Sequence, residues 1–258
     1  MKIAISGKGG VGKSTISAAL SLLLARQGKR VLAVDADPDA NLAAALGFSR
    51  EELAAIVPIS KQVELIEERT GAKVNQYGQI FTLNPEVSDI AENYASAHNG
   101  VSLLVLGAVK RGGGGCACPE NVLIRALIAD LILYKDDVLV MDMEAGLEHL
   151  GRATTSGVDT MLVVVEPGYR SVEGAMRIVE MANQIRLKDI RFVANKVDGP
   201  EDEEYIRSSL PGQEILEFIP FSNSLRRVDR PGKSVLDEVE DDINNRLLNI
   251  LASLEGRP

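Results

Sequence analysis

The segment GKGGVGKST, Gly7 to Thr15, restricts the possible folds of this chain more than any other. It follows a short apolar run, Ile3 to Ser6, and opens a helical pattern from Lys13 to Gln27. It satisfies G-x-x-x-x-G-K-[S/T], a pattern whose glycines let backbone N–H groups face phosphate oxygens at a helix start. The segment therefore predicts a strand, loop and helix that bind the phosphates of a nucleoside triphosphate.

Two side chains in this loop have distinct predicted tasks. Lys13 would neutralise the β- and γ-phosphate oxygens, and the Ser14 hydroxyl would reach a bound Mg²⁺. The remaining contacts would come from the rest of the loop: Gly9, Gly10, Val11, Gly12 and Thr15.

Short apolar runs alternate with helical patterns along the chain, which predicts a doubly wound α/β fold with a mostly parallel sheet flanked by helices. We expect one domain over residues 1–258, with Glu51 to Gly100 as an excursion from the sheet. The predicted strands are Ile3–Ser6, Val31–Asp35, Val101–Leu106, Val138–Asp142, Met161–Glu166, Arg191–Asn195 and Ile215–Pro220. The predicted helices are Lys13–Gln27, Pro119–Tyr134, Ser171–Leu187 and Leu236–Leu254.

Polar residues stand at the ends of three predicted strands, where α/β folds bind ligands. Asp35 and Asp37 lie in VDADPDAN, and Asp142 ends VLVMD, with Gly146 four residues later. ANKVD reads as the N-K-x-D element that selects guanine in GTPases. His149 has no clear catalytic task, and a structural or coupling role is the better interpretation.

Both cysteines, Cys116 and Cys118, lie in GGGGCACPE. A disulfide between positions i and i+2 would be strained and easily reduced. Pro119 fits the first turn of a helix, so Cys118 would be its N-cap, and the helix N-terminus would lower the thiol pKa. C-x-C supplies two thiolates where a closed tetrahedral site needs four. One chain would therefore carry half of a soft-metal site.

Lys8 extends the phosphate loop to K-G-G-x-G-K-[S/T], which resembles the deviant Walker A motif of the MinD and nitrogenase iron protein superclass of dimeric ATPases. The resemblance implies that Lys8 reaches the nucleotide of the other subunit, that Asp37 activates the attacking water and that Asp35 supports Mg²⁺ through water. It makes Asp142 the Walker B aspartate and brings Gly146 to the γ-phosphate.

The same resemblance bears on the base. It implies that Asn195, beside Lys196, and the loop IPFSNS at Pro220 contact adenine. The literal N-K-x-D element, completed by Asp198, favours guanine instead. Lys8 favours the ATPase branch, and therefore ATP.

Together with GGGGCACPE and DMEAGLEHLGR, these motifs are similar to the CooC-type nickel-insertion ATPases. That resemblance implies a homodimeric metallochaperone that hydrolyses ATP, binds Ni²⁺ or Zn²⁺ through Cys116 and Cys118 of both subunits, and delivers nickel to carbon monoxide dehydrogenase. An accessory ATPase for acetyl-CoA synthase remains an alternative. An iron–sulfur electron carrier and a MinD- or ParA-like positioning ATPase are less favoured.

Charge and composition limit the partners. A net charge of −9 disfavours nonspecific nucleic-acid binding, which needs Lys and Arg on the phosphates. The amphipathic C-terminal segment is acidic, whereas a membrane-binding helix is usually basic. The chain starts MKIAIS, without a leader pattern, so we expect a cytoplasmic protein with no membrane partner.

Overall fold

The computed structural model describes residues 1–74, 76, 78–108, 118–134, 138–144, 157–228 and 232–256. Side chains are described for these residues except 134 and 226–228. Three residues singled out from the sequence, Cys116, Gly146 and His149, lie outside the described part of the chain.

Strands and helices alternate along the described residues. The strands are β1 (Lys2–Ser6), β2 (Val31–Ala36), β3 (Ser96–His98), β4 (Val101–Val105), β5 (Val138–Met143), β6 (Thr160–Val165), β7 (Ile190–Val197) and β8 (Glu214–Pro220). The helices are α1 (Lys13–Arg26), α2 (Leu42–Leu46), α3 (Arg50–Ala55), α4 (Val63–Thr70), α5 (Ile90–Tyr94), α6 (Pro119–Tyr134), α7 (Tyr169–Gln184), α8 (Pro200–Ser209), α9 (Asn223–Val228) and α10 (Asp241–Glu255), with a 3-10 turn at Ile59–Lys61.

The described strands form one sheet in the order β3-β4-β2-β5-β1-β6-β7-β8. Neighbouring strands run parallel except β3 and β4. From β1 the chain continues through α1 to β2 on one side, whereas β6 lies on the other side of β1. The loop after β1 therefore stands at a topological switch point, where doubly wound folds bind ligands. The predicted fold class is confirmed.

Both faces of the central strands are covered. Ala4 faces a core layer that includes apolar residues of α6 and α7. Its neighbours Ile3 and Ile5 face the opposite layer, to which α1 and α10 contribute. Side chains of a strand alternate between faces, so the continuous apolar runs in the sequence reflect burial on both sides.

Two element predictions were wrong. The helix predicted from Leu236 begins at Asp241, because the Asp237 carboxylate accepts hydrogen bonds from the backbone N–H and hydroxyl of Ser234 and fixes a turn there. The stretch from residue 51 to 100 contains β3, so it returns to the sheet. β3 has three residues and no apolar run, which explains why the pattern did not reveal it.

Smaller differences concern the ends of helices. The helix predicted from Ser171 to Leu187 runs as α7 from Tyr169 to Gln184. Within the described residues, we find no helix with the length and apolar character that crossing a membrane requires.

Candidate functional site

The loop after β1 needs glycine because it lies against neighbouring backbone and side chains. A Cβ atom on Gly7 would lie 2.4 Å from the carbonyl oxygen of Val164 in β6. Gly12 has φ 99°, and a Cβ atom there would lie 2.3 Å from Nδ2 of Asn195. Glycine thus permits both the left-handed turn and the close approach, and the loop is fixed against β6 and β7.

Asn195 and Lys196, at the end of β7, hold this loop from the other side. Asn195 Nδ2 donates to the carbonyl oxygen of Val11 at 2.7 Å. Lys196 Nζ donates to the carbonyl oxygen of Gly10 at 2.5 Å and to Glu166 Oε2 at 3.1 Å. In this structure both side chains brace the loop, and their contact with a base remains a prediction.

Glu166 was not singled out from the sequence. It ends the apolar strand pattern of β6, and its carboxylate pairs with Lys196 while its backbone N–H donates to the Ser171 hydroxyl. An acidic residue at the carboxyl end of a parallel strand was the available signal, and its partner on another strand could not be read from sequence.

A cavity of about 580 Å³ opens beside the loop, within the size range of ligand sites. The predicted residues found in its wall are Gly9, Gly10, Gly12, Lys13, Ser14, Thr15, Asp37, Asn195, Lys196 and Pro220. Phe221 and Ser222 of the predicted base loop also line it. Residues of the wall that sequence reasoning missed are Asp39, Asn41, Ala45, Leu225 and Val235. The chain thus brings the phosphate loop and the predicted base loop to one cavity.

Lys13 and Asp37 form an ion pair in this cavity. Lys13 Nζ lies 3.3 Å from Asp37 Oδ2, and the side chains are 6% and 15% exposed. Asp37 Oδ1 also accepts the backbone N–H of Asp39 at 3.0 Å. The predicted phosphate cation and the predicted catalytic carboxylate therefore neutralise each other in this state.

Asp35 is buried, and both of its oxygens are used by the backbone. Oδ1 accepts the N–H of Asp37 at 3.2 Å, and Oδ2 accepts the N–H of Leu42 at 3.0 Å. Burial, and next the charge of Asp142 in the register-paired position of β5, raise the Asp35 pKa to about 7. The structure thus gives Asp35 a task at the start of α2, and its support of Mg²⁺ remains a prediction.

Asp142 is the described carboxylate best placed for a cation. It is fully buried between Ile5 of β1 and Asp35 of β2, and neither of its oxygens has a hydrogen-bond partner within the described part of the chain. Burial raises the Asp142 pKa to about 6, although the nearby Ser14 hydroxyl and the positive charge of Lys13 act to lower it. A buried carboxylate without partners beside the Ser14 hydroxyl fits oxygen ligation of Mg²⁺.

Lys8 differs from Lys13 in its surroundings. It is half-buried, and its ammonium group makes no hydrogen bond or ion pair with the described residues. Its stem lies beside α7, where a Cβ atom on Gly174 would lie 3.9 Å from the Lys8 Cβ. Within the described residues, no side chain of the same chain pairs with the charge of Lys8.

Cys118 is at the N-cap of α6, because its carbonyl oxygen accepts the N–H of Val122 at 3.1 Å. Its thiol accepts a hydrogen bond from Asn121 Nδ2 at 3.1 Å. The expectation of a lowered thiol pKa was wrong: burial raises the Cys118 pKa, and Glu120 adds to the shift, despite the helix N-terminus. Among described residues, no three His, Cys, Asp or Glu side chains gather into a metal cluster.

Comparison with known proteins gave consistent matches. The model of the CobQ/CobB/MinD/ParA nucleotide-binding domain matches residues 2–235. The carbon monoxide dehydrogenase accessory protein CooC of Rhodospirillum rubrum is 44% identical over 92% of this chain and 90% of that protein. An uncharacterized ATP-binding protein of Methanocaldococcus jannaschii is 41% identical over 99% of both chains. The MinD cell division protein of Aquifex aeolicus has a TM-score of 0.66 at 22% identity, covering 100% and 98% of the two chains.

Proposed function

The chain belongs to the CobQ/CobB/MinD/ParA nucleotide-binding family, in its CooC-type branch, and is a P-loop ATPase; from this premise we propose that it is a homodimeric metallochaperone. It binds nickel through a Cys-x-Cys pair shared between subunits and supports its insertion into carbon monoxide dehydrogenase. The observation that carries the proposal is the cavity that joins Lys13 and Asp37 to the predicted base loop, in a chain 44% identical to CooC.

Adenine fits the base end better than guanine. In an N-K-x-D element the aspartate must face the base, but Asp198 is exposed and is absent from the residues that line the cavity. Its backbone N–H donates to the Asp202 carboxylate at 2.7 Å, which ties it to α8. The base wall contributed by Pro220, Phe221, Ser222 and Leu225 is apolar except for the Ser222 hydroxyl. These contacts support ATP as the substrate.

Hydrolysis would begin with an exchange of partners at Lys13. The triphosphate carries more negative charge than Asp37, so Lys13 would turn to the β- and γ-oxygens and release the Asp37 carboxylate. A free carboxylate close to the γ-phosphate can orient and activate a water molecule. Mg²⁺, held by Ser14 and Asp142, would offset charge on the phosphoryl oxygens.

Lys8 gives the reason for a dimer. Its ammonium group is not used within the described chain, and a cation from a second subunit would stabilise charge on the transferring phosphoryl group. The two copies would then face each other across the carboxyl ends of the parallel strands, where the phosphate loop lies. An isologous interface places identical loops near the two-fold axis.

Such an interface would also bring together the cysteines. Cys118 is the N-cap of α6, at the end of the segment that follows β4, and Cys116 lies two residues before it. Two chains would supply four thiolates, the set that Zn²⁺ binds tetrahedrally and that Ni²⁺ can accept in a square plane. The metal is cargo here, carried in the cytoplasm to carbon monoxide dehydrogenase, the enzyme named for the CooC relative.

Replacing Lys8 by Ala tests the dimeric part of the proposal. We expect the variant to bind nucleotide with wild-type affinity but to lose ATP-driven dimerisation, because its own phosphate loop is intact and the cation acting on the partner's nucleotide is gone. Size-exclusion chromatography with a non-hydrolysable ATP analogue measures the dimer. Lys29→Ala, an exposed lysine before β2 at the opposite edge of the sheet, is the matched control. A Lys8→Ala protein that dimerises and hydrolyses ATP normally would contradict the role across the interface.

A further inference from the structure

The loop that forms the base end of the cavity is held by hydroxyl groups. Ser222 caps the short helix α9: its Oγ accepts the backbone N–H of Ser224 at 3.0 Å and of Leu225 at 3.2 Å. The loop and the start of α9 supply Pro220, Phe221, Ser222 and Leu225 to the cavity wall. The position of this cap therefore sets the shape of the base end.

Glu240, 18 residues after Ser222 in the chain, holds the cap. Ser222 Oγ donates to Glu240 Oε2 at 2.8 Å, and Ser224 Oγ donates to the same oxygen. A carboxylate only accepts hydrogen bonds, so Glu240 is the acceptor for this pair of hydroxyls. Ser222 Oγ and Ser224 Oγ also lie 2.7 Å apart, within hydrogen-bond distance of each other. The carboxylate and the two hydroxyls thus form one cluster, from which Ser222 Oγ accepts the two backbone N–H groups of α9.

Glu240 stands at a helix-capping position, but its side chain does not cap that helix. Glu240 is the N-cap residue of α10, yet its side chain makes no capping hydrogen bond to α10. Caps are usually Ser, Thr, Asp or Asn, and their side chains satisfy the first N–H groups of the helix. Here the carboxylate reaches across to α9 instead.

The segment before Glu240 forms the opposite wall. Val235 lines the cavity, and its backbone N–H donates to the carbonyl oxygen of Ala45, another residue of the wall, at 3.0 Å. Gly47 packs so closely that a Cβ atom there would lie 2.8 Å from the backbone nitrogen of Ser234. The segment from Ser234 to Glu240 thus joins both walls of the base end.

We infer that Glu240 is a positioning residue for the nucleotide base, acting through Ser222 and Ser224. Its hydrogen bonds with both hydroxyl groups hold the base end of the cavity, so it sets affinity for the base and not the rate of phosphoryl transfer. This inference rests on the proposed function, because it requires that the cavity takes ATP.

Glu240→Ala should raise the KM for ATP about tenfold, since hydrogen bonds to a charged group are lost, and should leave kcat within about twofold. Glu240→Gln keeps an acceptor oxygen and should restore most of the affinity. Asp241→Ala, at the next position and also exposed, is the matched control. Calorimetry with inorganic tripolyphosphate, which reaches only the phosphate loop, should give equal affinities for wild type and Glu240→Ala.

An unchanged KM, an equal loss of tripolyphosphate affinity, or a fall in kcat without a rise in KM would overturn the inference. If Glu240→Ala does not fold, as judged by thermal melting, Ser224→Ala removes one of the two hydroxyl contacts and should show the same KM effect. Ser224 is buried and does not line the cavity, so the effect of this substitution would not come from a lost direct contact with the base. A wild-type protein that binds no ATP would instead contradict the proposed function itself.

Discussion

Lys13→Ala is expected to reduce ATP affinity by at least about 100-fold, because the variant leaves the triphosphate charge without its main buried cation. Lys13 is 6% exposed and stands in the cavity wall, where its ammonium group would face a bound triphosphate. The variant also leaves Asp37 without its ion-pair partner, and the unpaired carboxylate would repel the incoming phosphates. Both effects weaken ATP binding.

Calorimetric titration with ATP in the presence of Mg²⁺ measures this loss. Lys29→Ala serves again as the control, because it removes one positive charge at the opposite edge of the sheet. Retention of wild-type ATP affinity by Lys13→Ala would show that the cavity is not the triphosphate site. If Lys29→Ala lost as much ATP affinity as Lys13→Ala, the loss would be due to the change in net charge alone.

Asp37→Asn is expected to lower kcat by about 100-fold or more, the usual contribution of a general base. Its effect on binding should have the opposite sign. The 3.3 Å ion pair with Lys13 must break when phosphates enter, and the neutral amide removes that cost. The variant should therefore bind ATP at least as tightly as wild type, and should remain dimeric with ATP for longer.

Single-turnover hydrolysis and calorimetry separate the two effects. Asp198→Asn, an exposed residue outside the cavity wall, is the control and should retain both turnover and the preference for ATP over GTP. Hydrolysis at the wild-type rate by Asp37→Asn would refute its catalytic assignment. Weaker ATP binding would refute the exchange of partners at Lys13.

The sequence revealed the fold class and the phosphate end of the site because both depend on local patterns. The loop motif fixes glycines, lysine and serine in consecutive positions, and apolar runs mark strands buried on both faces. Asp142 and Asp35 were correctly placed at the ends of central strands. That they would be register-paired neighbours, with the charge of Asp142 raising the Asp35 pKa, depends on strand order, which the pattern did not reveal.

The base end of the cavity was predicted only in part. The loop IPFSNS does bring Phe221 and Ser222 to the wall. Val235 comes from the segment before α10, and Glu240 reaches Ser222 across 18 residues of sequence, and neither contact follows from a local pattern. The pKa of Cys118 shows a similar limit. A helix N-terminus favours the thiolate, but burial outweighs it, and burial depends on packing that the local sequence does not show.

A metal site shared by two chains is tested most directly by the stoichiometry of metal binding. Equilibrium dialysis against Ni²⁺ and against Zn²⁺, combined with mass measurement in solution, gives ions per dimer. We predict one ion per two chains for either metal, metal-promoted dimerisation by linkage, and loss of both in Cys116→Ser and Cys118→Ser with ATP hydrolysis largely retained. One ion per chain, or tight metal binding by the double Ser variant, would contradict the shared site.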